Sequence, residues 1–123
     1  MAKIIVVDDD KASTALFKQV LLMNGYDVIT INESSKVMEI ATRELPDLII
    51  LDLMMPEPDG FKVCRMLRAD PLHRKTPIII VTALNDVDSR LVAIGAGAND
   101  YLVKPFHIDT LYESVEKQLN KNK

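Results

Sequence analysis

Leu48-Ile49-Ile50-Leu51-Asp52 is a run of four large aliphatic residues that stops at a carboxylate, and three other stretches share its plan. Ile4-Ile5-Val6-Val7 runs into Asp8-Asp9, Ile78-Ile79-Ile80-Val81 into Thr82, and Tyr101-Leu102-Val103 into Lys104. Continuous apolar runs of this length predict strands buried on both faces, as in a parallel sheet. In an open α/β sheet, ligands bind beyond the carboxyl ends of the strands. Four neighbouring strands ending in this way bring three carboxylates, a hydroxyl and an ammonium to one edge.

The segments between the runs carry helical spacing. Residues 11–23 predict a helix with Ala12, Leu16, Val20 and Met23 on one face and a left-handed stop at Asn24-Gly25. Residues 34–45 repeat the pattern with Val37, Ile40, Ala41 and Leu45 before Pro46. Phe61, Cys64 and Leu67 mark a third helix over 59–69, and Val87, Leu91 and Ile94 a fourth over 86–95. Leu111, Val115 and Leu119 mark a fifth over 109–119, with Asp109 as its expected N-cap. Val28-Ile29-Thr30-Ile31 alternates weakly and reads as an edge strand. The chain is therefore (βα) repeated five times. Right-handed crossovers then predict an α/β, flavodoxin-like doubly wound fold, with a five-stranded parallel sheet of order 2-1-3-4-5. Its switch point falls between the first and third strands, beside Asp8, Asp9 and Asp52.

The 123 residues predict one domain, 1–123, and 48% hydrophobic with 27% charged residues excludes a disordered chain. A net charge of −3 argues against direct nucleic-acid binding. The single cysteine, Cys64, excludes an internal disulfide and is expected in the core. No apolar run approaches the roughly 18 residues of a membrane span, and Met1-Ala2-Lys3 leads straight into the first strand. A cytoplasmic protein with no membrane partner is the expectation.

Three carboxylates in one pocket repel one another unless a cation joins them. Oxygen donors in a shallow, solvated site favour Mg²⁺ over Ca²⁺ or Zn²⁺. A Mg²⁺ beside a carboxylate, a hydroxyl and an ammonium describes a phosphoryl site with Asp52 as the best-placed nucleophile. Adjacent strands lie about 4.8 Å apart, so Asp9 and Asp52 fall within range of one cation. Lys104 starts roughly 10 Å from Asp52, two strands away by the same spacing, and is expected to need a bound group to close the last gap.

The remaining residues read as structural. Asp10 is expected to cap the first helix, and Asp59-Gly60 to cap the third and turn tightly. Met23, Met38 and Met66 read as core filler, His73 and His107 as exposed, and the loop 70–77 as a spacer.

The Asp8-Asp9 pair, the stretch Asp52-Leu53-Met54-Met55-Pro56-Glu57-Pro58-Asp59-Gly60, the Thr82-Ala83 step and Lys104-Pro105-Phe106 resemble a response-regulator receiver domain in order and spacing. The resemblance covers the entire chain. It implies that Asp52 accepts a phosphoryl group from a histidine kinase, a histidine phosphotransfer protein or a small acyl phosphate. It also implies that Asp9, Asp52 and the Met54 carbonyl bind Mg²⁺, with Asp8 acting through water. Thr82, the Ala83 N–H and Lys104 would hold the phosphoryl oxygens, and Lys104-Pro105 would be cis. Thr82 would move toward the phosphoryl group, Tyr101 would turn inward, and residues 86–95 and 101–118 would present the output face. That face would serve an unknown output partner or a fused output domain. The family's water-flanking positions are here the apolar Met54 and Leu84, which implies slow self-dephosphorylation. A phosphatase of the haloacid dehalogenase type is the competing reading, but such enzymes usually carry a second Asp where this chain has Met54.

Overall fold

The computed structural model describes residues 1–121. Its strands are β1 (Lys3–Val7), β2 (Asp27–Ile31), β3 (Leu48–Leu51), β4 (Ile78–Thr82) and β5 (Asp100–Val103). Its helices are α1 (Lys11–Met23), α2 (Val37–Glu44), α3 (Gly60–Ala69), α4 (Val87–Gly95) and α5 (Ile108–Lys121), with a short 3₁₀ turn, Ser34–Lys36, leading into α2. All neighbouring strands pair in parallel in the order β2-β1-β3-β4-β5. The expected flavodoxin-like fold is the one observed.

Strand alternation sorts the aliphatic runs onto two faces. Ile5, Val7, Ile49, Leu51, Ile78 and Ile80 pack with Val37, Ala41, Val63, Cys64, Leu67 and Ala93 from α2, α3 and α4. Ile4, Val6, Leu48, Ile50, Ile79 and Val81 pack with Phe17, Val20, Leu21, Leu111 and Val115 from α1 and α5. Covering both faces is what makes near-continuous apolar runs stable as strands.

Several helix faces differ from the sequence expectation. In α1 the buried residues are Thr14, Phe17, Val20 and Leu21, while Leu16 and Met23 face solvent. Phe17 sets that face because its ring stacks on Phe106, with centroids 5.3 Å apart. Leu45 is exposed because it is the left-handed C-cap of α2, at φ 47°, donating to Ala41 O. Met66 is also exposed, and Met38 is only partly buried against the core. Asp109 lies inside the first turn of α5 rather than at its cap.

The largest departure is α4. Val87, Leu91, Val92 and Ile94 are 71%, 64%, 49% and 45% exposed, and Ala93 alone is buried. A small residue lets the helix lie close to the sheet, which turns its larger side chains outward. His73 also departs from expectation. It is 1% exposed, with its Nε2 3.3 Å from Thr42 Oγ1.

Candidate acidic site at the carboxyl edge of the sheet

Strand register builds this site before any side chain acts. Val7 is paired with Leu51, so the next residues, Asp8 and Asp52, emerge side by side. The ladder continues one step past both strands: Asp8 N donates to Ile31 O at 3.1 Å and Asp52 N to Val7 O at 3.0 Å. Thr82 is paired with Val103, and Lys104 N donates to Thr82 O at 2.7 Å. Backbone hydrogen bonds therefore fix the origin of Asp8, Asp52, Thr82 and Lys104.

Asp8 and Asp52 are buried and Asp9 is exposed, and oxygen atoms of the three carboxylates lie within 4.8 Å of one another. Lys104 Nζ donates to Asp8 Oδ2 at 2.6 Å and to Asp52 Oδ2 at 3.2 Å. The lysine thus spans the interval that the sequence assigned to a bound group. Asp52 Oδ1 accepts from Met54 N at 3.1 Å, and Asp8 Oδ1 from Asp10 N at 2.9 Å. Asp10 caps α1 through Ala12 N, as expected. Lys104-Pro105 is cis, as is Glu57-Pro58.

Burial pushes the Asp8 carboxyl above the ordinary aspartate value, even though Lys104 and the Asp10 N–H pull it down. For Lys104, burial works against the charge, but the Asp8 hydrogen bond and the Asp52 charge outweigh it and raise its pKa. One ammonium shared by two carboxylates, with Asp9 beside them, leaves the pocket with a net negative charge.

The donor set suits Mg²⁺. Its ligand atoms are all hard oxygens, and one oxygen from each of the three carboxylates lies within 4.8 Å of the others, near enough to converge on one ion after a small adjustment of the side chains.

The site depends on two residues to which the sequence reading gave no such part. Asn32 Nδ2 donates to Asp8 O at 2.8 Å and to Thr14 Oγ1 at 3.0 Å, tying β2 and α1 to the acidic loop. A signal for it existed, since the edge strand Val28-Ile29-Thr30-Ile31 also stops at a polar residue, Asn32. Gly60 was read as a turn residue, yet a Cβ there would stand 2.2 Å from Asp52 O and 2.5 Å from Leu53 Cα. The start of α3 lies directly against the strand end that carries Asp52. Asp59 caps α3 through Lys62 N, as expected.

Thr82 is fully buried, and its Oγ1 is 3.5 Å from Leu84 N. Tyr101 lies inward, 4% exposed, with its hydroxyl donating to Leu84 O at 2.8 Å and the Arg90 guanidinium 5.6 Å from its ring centroid. Met54 is 53% exposed, Leu84 is half-buried, and Ala83 is exposed.

Residues 4–116 match the response regulator receiver domain family. The chain is 40% identical over 114 residues to response regulator PleD of Caulobacter vibrioides, which covers 93% of this chain and 25% of PleD. It is 38% identical over 121 residues to the DNA-binding dual master transcriptional regulator RpaA of Synechocystis, covering 98% of this chain and 50% of RpaA. This chain therefore spans a quarter to a half of those relatives. The crystal structure of a putative response regulator from Chloroflexus aurantiacus superposes with a TM-score of 0.92 at 33% identity, covering 97% of this chain and 98% of that one.

Proposed function

Because this chain belongs to the response regulator receiver domain family of two-component signalling, we propose that Asp52 is its phosphoryl acceptor. Residues 1–123 form a single receiver domain in this reading. The observation that carries it is the Lys104 ammonium joining Asp8 and Asp52, with Asp9 completing the carboxylate cluster. The chain is a signalling module whose own chemistry is confined to gaining and losing that group.

A carboxylate oxygen of Asp52 attacks phosphorus in line. An O–P bond forms as the P–N bond of a phosphohistidine, or the P–O bond of an acyl phosphate, breaks, and the leaving group takes the electron pair. Lys104 holds one phosphoryl oxygen by charge and hydrogen bond, while the Thr82 hydroxyl and the Ala83 N–H donate to others. Asp8, Asp9, Asp52 and the Met54 carbonyl would hold Mg²⁺, which supplies positive charge to offset the phosphoryl oxygens.

The donor is a histidine kinase or a histidine phosphotransfer protein. Thr82 moving toward the new acceptor alters its contact with Leu84, and Tyr101 carries the change to α4, β5 and α5. Residues 86–95 and 101–118 then form the output face, supported by the outward apolar side chains of α4. The relative RpaA is named as DNA-binding, but the net charge of −3 on this chain supports a receiver that does not itself hold nucleic acid. Among the described residues, no helix is long and apolar enough to cross a membrane, and a cytoplasmic site of action completes the reading.

The test is chemical. After incubation with Mg²⁺ and a small acyl phosphate, the protein should carry an adduct that hydroxylamine removes, as it does an acyl phosphate. A hydroxylamine-stable adduct, or one retained in Asp52→Asn, contradicts the reading.

A further inference from the structure

At the end of the sheet remote from the acidic site, Arg68 of α3 directs its half-buried guanidinium at four neutral oxygens. Nε donates to Gly97 O at 2.9 Å, Nη1 to His73 O and Thr76 O at 2.8 and 2.7 Å, and Nη2 to Asn99 Oδ1 at 2.8 Å. Asn99 Oδ1 also accepts from Ile78 N at 2.8 Å, and Asn99 N donates to Ile78 O at 2.8 Å. Gly97 sits at φ +112°, where a Cβ would lie 2.5 Å from Arg68 Cγ. Cys64 Sγ adds a 3.5 Å contact to Ala96 O. The end of α3, the loop before β4, the first residue of β4 and the α4–β5 loop are thus joined into one hydrogen-bonded unit. The planar fork of a guanidinium can serve several acceptors at once, which a lysine ammonium does less well.

The rest of α4 is held differently. Val87, Leu91 and Val92 face solvent, and the first turn is capped locally by Asp86 through Ser89 N. Arg90 rests on the Tyr101 ring, an exposed contact worth little by itself. The C-terminal end of the helix is thus fastened by hydrogen bonds from Arg68 to Gly97 and Asn99. Among the described residues, the segment before its N-terminus is held by one side-chain hydrogen bond from β5, from the Tyr101 hydroxyl to Leu84 O, at the residue the switch would act on.

We propose that Arg68 is a positioning residue that fixes the C-terminal end of α4, so that switching at Asp52 moves residues 83–92 about a pivot at Ala96-Gly97. The inference rests on the output-face reading and specifies which part of that face moves. Because the four acceptors are neutral, the fastening depends on geometry more than on long-range charge, and salt should loosen it little.

Amide hydrogen exchange on the full chain tests it at Ala96, Gly97, Ala98 and Asn99, whose N–H groups bond Val92 O, Ile94 O, Ala93 O and Ile78 O. In the protein without a phosphoryl mimic, Arg68→Lys should speed exchange at these four amides by about tenfold. Asn99→Asp gives the guanidinium a carboxylate partner and should slow it. With Mg²⁺ and beryllofluoride as the mimic, and binding verified by blocked phosphoryl uptake, wild type should change over 83–92 and not over 94–99. In Arg68→Lys the change should spread into 94–99. Unaltered exchange in Arg68→Lys, or a wild-type change at 94–99 as large as at 83–92, overturns the pivot. Silence across 83–99 with the mimic bound instead fails the output-face reading, and the pivot with it.

Discussion

The Lys104 ammonium lies 3.2 Å from Asp52 Oδ2 and 2.6 Å from Asp8 Oδ2, so one cation joins carboxylates that begin on β1 and β3. It reaches them from β5, across β4, because the Lys104 backbone is bonded to Thr82 O at the end of β4. A buried carboxylate without a partner is costly, and here a single lysine serves two. The pocket is consequently short of positive charge.

That shortage has a stability consequence. Burial raises the Asp8 pKa, so the folded state binds the Asp8 proton more tightly than the unfolded chain does. Ionised Asp8 therefore opposes folding above its raised pKa, and the penalty fades as pH falls through that pKa toward the ordinary aspartate range. Asp8→Asn should raise Tm at neutral pH without Mg²⁺ by a few degrees, the effect of about 1 kcal/mol in a domain of this size. The gain should shrink on acidification. Thermal melts at several pH values check it, and a gain that grows toward low pH contradicts it.

Gly60 gives a second prediction. Gly60→Ala drives a Cβ into backbone 2.2 Å away at Asp52 O, where no flexible side chain can yield. Strain of this kind should cost about 1–3 kcal/mol and displace the strand end that carries Asp52. Denaturant unfolding should give the loss, and the initial rate of phosphoryl uptake should fall with it. Wild-type stability and uptake together would show that the loop is freer than its contacts indicate.

If Asp52 is the acceptor, the apolar Met54 and Leu84 are expected to slow loss of the phosphoryl group. Neither side chain can hydrogen-bond a water aligned with phosphorus. Replacing them together, Met54→Asn with Leu84→Glu, should shorten the lifetime by about tenfold, below the lower end of what a positioned acid or base contributes. The decay of the phosphorylated form measures it directly, and an unchanged lifetime would remove these positions from the route of attacking water.

Strand ends were the most legible part of the molecule, because an aliphatic run that stops at a polar residue marks both the strand and its edge. Register then placed Asp8 beside Asp52 with no further information. Helix faces were harder to read where large apolar residues adjoin. Leu16 next to Phe17, and Val92 and Ile94 around Ala93, each allow two faces, and the choice is made by Phe106 in one case and by the closeness of the sheet in the other. Arg68 was opaque because three of its four acceptors are backbone carbonyls from loops, and His73 because its ring meets Thr42 of α2 while its carbonyl accepts from Arg68, contacts that the fold alone brings together. The reach of Lys104 was underestimated because strand spacing gives the distance between origins and says nothing of how far a lysine stem can lean.

Intact mass after incubation with Mg²⁺ and a small acyl phosphate tests the central claim most directly. Wild type should gain one phosphoryl group, Asp52→Ala should gain none, and a chelator should abolish the gain in wild type. A phosphoryl group taken up equally by Asp52→Ala would contradict the assignment of Asp52 as the acceptor.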